Sequence, residues 1–367
     1  MQSKHLLYQI ALTLIPNIGD VLAKNLVSYL GDPEKVFKAR KFDLKKVPGI
    51  DEVRAKSILH FNDFNTAEKE ILFIEKNKIN PLFYLDDGYP SRLKGLTDSP
   101  ILLYTKGNMN LNSERMIAIV GTRHASDYGK NMCESLISGL KNYNATIVSG
   151  LAYGIDIAAH KIALQFDLPT IGVLGHGLNQ IYPNQHRATA IKMLEAGGLV
   201  TEFKSIDSFE PENFPKRNRI VAGLCDATIV VESAVKGGAL ITAEIASSYN
   251  RDVFVVPGRV GDKYSEGCNY FIKTNKANLV ECAEDIAFFL GWVDKKKSHS
   301  PKQKQIFIEL DENERKLLSL LDGNNSLHVD ALSQQSGLFG SQLAVGLLNL
   351  EFKGMVISLP GKMYRLA

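Results

Sequence analysis

The chain has 367 residues, 45% of them apolar and 23% charged, which is enough apolar material for packed cores in about two to three domains. A formal net charge of only +3 excludes a nucleic-acid footprint spread over the whole surface, so any such contact must be a local patch. The four cysteines, Cys133, Cys225, Cys268 and Cys282, form no C-x-x-C pair. They read as reduced, buried thiols of a cytoplasmic protein, not as a disulfide framework or a zinc site. No run approaches the roughly 20 apolar residues that cross a bilayer, so no membrane partner is expected. The stretch "LLYQIALTLIP" is interrupted by Tyr8 and Gln9 and reads as a helix of a soluble chain.

Residues 1–80 read as wholly helical, with two similar turns, "IPNIGDVLAKNL" at 15–26 and "VPGIDEVRAKSIL" at 47–59. Each resembles a helix-hairpin-helix repeat, whose glycine turn presents backbone N–H groups to a phosphate; a purely structural pair of hairpins fits equally well. The segment "NPLFYLDDGYPSRLKGLTDSPILLYTKGN" reads as a strand-and-turn connector. Six apolar, β-rich runs then follow, at 116–122, 145–150, 169–175, 198–203, 227–233 and 252–258, most of them separated by amphipathic helical stretches. Strands that are apolar throughout belong to a mostly parallel α/β sheet covered on both faces. The charged stretch 294–305 is a linker by composition, and 306–367 gives three helices and a β-ribbon, a winged-helix pattern. The third of those helices, 341–352, has no Arg or Lys, which favours packing or protein contact over reading a DNA groove.

Ligands of open parallel sheets bind beyond the carboxyl ends of the strands. Four such ends here are rich in glycine and small polar residues: "GTRHASDYGK", "SGLAYGIDIAAH", "GHGLNQIYPNQHR" and "ESAVKGGALITAEIA". That composition lets backbone amides close on an anion. The first loop lacks G-x-G-x-x-G and has no following G-K-[ST], so dinucleotide and ATP cofactors held through those motifs are excluded, and no cofactor is expected. Arg123 in that loop has the planar fork that meets a phosphate.

"FPKRNRIVAG" places Pro215 at an expected first helical position with Lys216, Arg217 and Arg219 behind it in the first turn. Cations are disfavoured at that end of a helix, and a bound phosphate would offset the cost; the alternative is pairing with Asp207, Glu210 or Glu212. Asp156 and His160, at i and i+4, share a helix face and read as a capping carboxylate and a hydrogen-bonded histidine, with no third metal ligand apparent. His176 and His186 have no nucleophile placed for a hydrolytic triad. Glu232 and Glu244 are each open to two readings, a catalytic base or a group that orients the anion cradle.

Taken together, "VGTRHASDYG", "SGLAYGIDIAAH", "TIGVLGHGLNQIYP", "FPKRNRIVAGL", "ATIVVESAVKGGALITAEIA" and "VFVVPGRVGDKYSEGCNYFI" resemble the DNA-processing protein A (DprA, or Smf) family. The resemblance implies an α/β, Rossmann-like open sheet at 81–293 between an N-terminal helix-hairpin-helix or SAM-like domain and a C-terminal winged-helix-like domain. It further implies a homodimeric, non-enzymatic, single-stranded DNA-binding protein that protects incoming DNA and loads a RecA-type recombinase during natural transformation. The Gly-Thr-Arg motif carries over to Gly121, Thr122 and Arg123, and the Phe-Pro-Lys-Arg-Asn-Arg motif to Phe214, Lys216, Arg217, Asn218 and Arg219. Gly150, Arg187, Gly237, Gly238 and Thr242 complete the expected DNA-binding set. Where the family has Ser-Gly-Ser-Leu-Ile-Thr-Ala, this chain has Lys236 to Ala243, so backbone and a lysine replace serine hydroxyls. Phe214, Tyr153 and Tyr182 would supply surfaces on which bases stack. The competing expectation is a nucleoside-monophosphate phosphoribohydrolase of the lysine-decarboxylase-like group, which shares the fold and a Gly-Gly loop but usually shows Pro-Gly-Gly-x-Gly-Thr-x-x-Glu.

Overall fold

The computed structural model describes residues 2–292, 310–322, 326–359 and 361–366; the charged stretch 294–305 lies outside them. Two compact units are present, Met1–Asp294 and Lys295–Ala367. Among the described residues no helix is long and apolar enough to cross a membrane.

The larger unit is built on a nine-stranded sheet. Its strands are β1 (Asn80–Phe83), β2 (Leu102–Gly107), β3 (Met116–Val120), β4 (Thr146–Ser149), β5 (Thr170–Val173), β6 (Gly197–Thr201), β7 (Ala227–Val230), β8 (Asp252–Val255) and β9 (Asn278–Leu279), in the order β1-β2-β6-β5-β4-β3-β7-β8-β9. All six apolar runs read from the sequence form strands, and every pairing from β6 to β9 is parallel. Val, Ile and Ala alternate between two cores. Met116, Ala118 and Val120 of β3 face the helices Asn213–Leu224 and Gly238–Ser248, while Ile117 and Ile119 face the helices Asp127–Leu140 and Ile155–Gln165. Burial on both faces is why these runs carry no polar alternation.

The segment expected to be a connector does more than connect. Its two strands pair antiparallel with each other, and β2 pairs antiparallel with β6, so they extend the sheet at one edge. The six helices of residues 2–77 share one apolar core with Phe83, Ile101, Leu102 and Tyr104 of that edge. The two helix-hairpin-helix-like turns differ: no side chain caps the first helix at Gly19, whereas the second helix is capped. Asp20, opening the first helix, accepts the Ile101 N–H at 2.9 Å, and Asp51 caps the second by accepting the Arg54 N–H at 2.9 Å.

Of the cysteines, Cys133, Cys225 and Cys268 are buried free thiols, whereas Cys282 is only partly buried, at the start of the helix Ala283–Phe289. Burial pushes the Cys133 and Cys268 thiols up to about 12, which keeps them protonated.

The smaller unit has the expected winged-helix elements: helices Glu312–Leu321, Val329–Ser336 and Ser341–Phe352, and a three-stranded sheet whose ribbon is Val356–Leu359 and Met363–Leu366. Its core is Leu317, Leu321, Leu332, Leu343, Leu347, Leu350 and Val356. The third helix presents Val345, Leu348 and Phe352 to solvent, and its one charged residue is the exposed Glu351, a surface without cations that is consistent with the reading that it does not enter a DNA groove.

Candidate nucleic-acid interface

From β3 the chain winds through β4 and β5 to β6 on one side; after β6 it crosses back, by way of the helix Asn213–Leu224, to lay β7 on the other side of β3. The loops after β3 and β7 therefore diverge and leave a crevice between them, the topological switch point of the sheet. A cavity of about 330 Å³ opens there, lined by Gly121, Thr122, Arg123, Gly150, Phe214, Arg217, Asn218, Gly237, Gly238 and Thr242. Ten of the sequence-selected residues thus meet in one place, from four separate segments.

Local chemistry explains the convergence. The β3 loop is fixed by backbone, with Thr122 N–H donating to the Glu232 carbonyl at 2.7 Å and Ile155 N–H donating to the Thr122 carbonyl at 3.1 Å. Gly154, at φ 79°, comes so close to the Thr122 carbonyl that a Cβ would lie 2.1 Å from it. The Glu232 carboxylate is buried and accepts both the N–H and the hydroxyl of Ser126, so it orients the loop and is not a free base. Gly150 is required for a different reason: a Cβ there would sit 2.1 Å from an Arg217 guanidinium nitrogen and 2.3 Å from an Asp156 oxygen.

Arg217 is the unusual member. It is 5% exposed, donates to the Val173 carbonyl at 2.8 Å, and leaves its buried Nε without a partner. Burial lowers its affinity for the proton, Asp156 works in the other direction, and Arg123 adds repulsion. Asp156 lies in the first turn of Ile155–Gln165 but does not cap it, since the N-cap is Gly154 with no side-chain bond, and burial raises its carboxyl, partly offset by Arg217. His160 lies beneath both and is fully buried. Its Nε2 faces the Gly150 carbonyl, which can only accept, so Nε2 carries the proton; Nδ1 faces the Thr170 hydroxyl at 2.7 Å. Desolvation lowers His160 to about 4.

A second cavity, of about 260 Å³, shares Arg123, Ala152, Phe214 and Arg217 with the first and continues over the ends of β4 and β5. Tyr153, Tyr182, Phe209 and His176 line it. Phe209 packs 4.8 Å from Tyr182 and 5.5 Å from Phe214, ring centre to ring centre. Tyr153 and Tyr182 are exposed, as a stacking role requires. Phe209 was not selected from the sequence; its only signal was lying among prolines and acids just before the basic motif.

Three selected cations are not brought into the central cavity. Arg219 points to the opposite side of its helix and pairs with Glu202 at 2.7 Å and Asp20 at 3.1 Å, which corrects the expected partners Asp207, Glu210 and Glu212. Lys216 lines a separate cavity with Asp20, Glu202 and Asp207, and exposed Arg187 starts the helix Arg187–Ala196. The helix also begins two residues earlier than expected. Asn213 N–H bonds the Glu210 carbonyl and Phe214 N–H bonds that of Pro211, so winding starts before Pro215, whose missing N–H is one of the helix's unused ones. Arg217 and Arg219 consequently lie in the second turn. Glu244, the carboxylate of the hydrolase expectation, is exposed, pairs with Lys276 at 3.2 Å and does not line the cavity.

A doubly wound sheet whose switch point gathers arginines and glycine amides defines an α/β protein with a candidate anion-binding groove. Residues 80–291 match the family DNA recombination-mediator protein A, residues 301–362 match the DprA winged helix domain, and the chain belongs to that family. Protein Smf of Escherichia coli (strain K12) is 36% identical over 285 residues, which are 76% of this chain and 75% of its own length. The X-ray structure of DNA processing protein A from Streptococcus pneumoniae is similar with a TM-score of 0.67 at 33% identity, over 77% of this chain and 97% of that one. DNA processing protein A from Helicobacter pylori, whose structure addresses its single-stranded DNA binding mode, gives 0.53 at 28% identity over 58% and 95%.

Proposed function

We propose that this chain binds single-stranded DNA at the switch-point groove and, as a homodimer in the cytoplasm, protects incoming strands and hands them to a RecA-type recombinase during natural transformation. The observation that carries the reading is the juxtaposition of Arg123 and Arg217 with the glycine loops at 121 and 237–238 in one cavity that continues into an aromatic one. Phosphate would meet cations and amides, and bases would meet rings, with no set of side chains among the described residues of the groove arranged to tell one base from another. The binding mode named for the Helicobacter pylori relative supports the same reading. A hydrolase reading lacks its carboxylate, because Glu244 is turned to Lys276.

Titration of labelled oligo-dT tests this. Arg123→Ala should weaken binding about tenfold and flatten the dependence of affinity on salt, by about 0.7 in slope per lost phosphate contact on a single strand. Unchanged affinity and slope, or release of free base from nucleoside monophosphates, would remove the reading.

A further inference from the structure

A third cavity, of about 720 Å³, lies over the end of β8 and is lined by Tyr128, Pro257, Gly258, Arg259, Lys263 and Tyr264 among others. Tyr264 also lines the central cavity, so the two are neighbours across one ring. The strand order places the three cavities in a row along the carboxyl rim: the aromatic one over β5 and β4, the central one over β3 and β7, this one over β8. Four strand spacings of about 4.8 Å make the rim about 19 Å long.

The segment after β8 is held firmly at its base and bare at its tip. Tyr128 donates to the Pro257 carbonyl at 2.6 Å, and Asn269 donates to the Gly258 carbonyl at 2.9 Å while accepting its N–H. Ser233 N–H donates to the Tyr264 carbonyl at 2.7 Å, which fixes the ring at the cavity edge. Val260 at the tip is 91% exposed. Arg259 and Lys263 are both exposed, and neither forms an ion pair among the described residues; Lys263 lies 5.6 Å from the centre of the Tyr264 ring. His124, from the β3 loop, stacks on Tyr264 at 6.3 Å and 26°. Two carboxylates are near: Glu232 is consumed by Ser126, and Asp262 is exposed to water.

We propose that Arg259 and Lys263 form a further phosphate contact for the single strand, with the Tyr264 and His124 rings as a second stacking platform. A strand lying in the groove would then run from the Phe209 and Tyr182 cluster, across Arg123 and Arg217, to this loop. The proposal rests on the strand-binding reading above and extends it from one pocket to a path.

The test compares oligo-dT of about 4 and about 16 nucleotides, the range of site sizes seen in compact single-strand modules. Wild-type protein and the variant Arg259→Ala/Lys263→Ala are titrated with each; both positions are exposed, so folding is not at stake. The variant should bind the longer strand about tenfold more weakly, with a salt slope smaller by about 1.4 for two lost contacts, and should bind the shorter strand like the wild type. The charge-preserving variant Arg259→Lys/Lys263→Arg should restore the long-strand affinity. Wild-type affinity and slope on the longer strand, or equal weakening on both lengths, overturns the contact at this loop and leaves the strand-binding reading standing. Failure of the wild type to bind either length overturns both.

Discussion

Arg217 and Arg219 stand two residues apart on one helix and have opposite fates. Arg219 is neutralised on the side facing the N-terminal helices, where Glu202 and Asp20 close on its guanidinium. Arg217 is buried on the groove side with a carbonyl, a nearby Asp156 and an orphaned Nε. A charge that is fully paired fixes position, whereas one that is buried and incompletely paired holds back interaction energy for a ligand. The comparison separates a structural seam from a candidate binding site within a single turn of helix.

The largest effect expected lies in the seam. Burial opposes the charge on Arg219, yet Glu202 and Asp20 outweigh it and raise the guanidinium, while burial raises the Glu202 carboxyl; as a whole the pair does little more than break even against apolar residues. Removing one partner is different, because the other is left buried and charged. Arg219→Met should lower the unfolding free energy by about 3 kcal/mol, measured in urea, and leave the salt slope of strand binding unchanged. Adding Glu202→Gln should restore part of the loss. A stable Arg219→Met protein that binds DNA poorly would erase the distinction between the two arginines.

Much of this was legible beforehand, and the gaps have physical causes. The six central strands were readable because burial on both faces makes each a continuous apolar run. The strand-and-turn reading of the segment holding Asn80–Phe83 and Leu102–Gly107 did not show that these strands join the sheet, because the pairing of Leu102–Gly107 with Gly197–Thr201 is antiparallel and spans about a hundred residues. Selecting Gly121, Arg123, Gly150 and Gly237 followed from the rule for strand ends, and Arg217 from the cations crowded at a helix start. The separation of Arg217 from Arg219 also had a local signal that went unread: two residues at about 100° each put them on nearly opposite faces of a helix. The identity of the partner had none, because Asp20 lies 199 residues from Arg219 in the chain. Tyr264 and Phe209 sit in loops without periodicity, so only the folded rim shows that they flank the groove.

Acid should distinguish the groove side next. His160 is neutral at its buried position, with a folded value near 4 against about 6.5 for an ordinary histidine. Between those values the unfolded chain takes up a proton that the folded chain refuses, so stability falls as pH falls from about 6.5 to 4, by up to about 3 kcal/mol. Burial is the main cause, and Arg217 and His186 add to it; the raised Asp156 carboxyl acts with the opposite sign and offsets part of the loss. His160→Gln keeps a donor for the Gly150 carbonyl and does not titrate. Its urea midpoint should drop less than that of the wild type between pH 7 and 4.5, and parallel losses would assign the acid sensitivity elsewhere.

The smallest effect is the one that bears most on function. Arg217→Met removes a buried cation that forms no ion pair among the described residues, so the folded protein should lose less stability than it does in Arg219→Met, although Asp156 and the Val173 carbonyl lose its influence. Strand binding should nonetheless weaken by about 2 kcal/mol, roughly thirtyfold, the order of a charge-assisted hydrogen bond made in a water-poor cavity. Arg217→Lys should recover only part of this, because an ammonium lacks the second arm that reaches the ligand while the first holds the Val173 carbonyl. The opposite pattern, an unstable Arg217→Met that binds DNA normally, would make Arg217 a second seam residue and leave Arg123 to hold the phosphate without it.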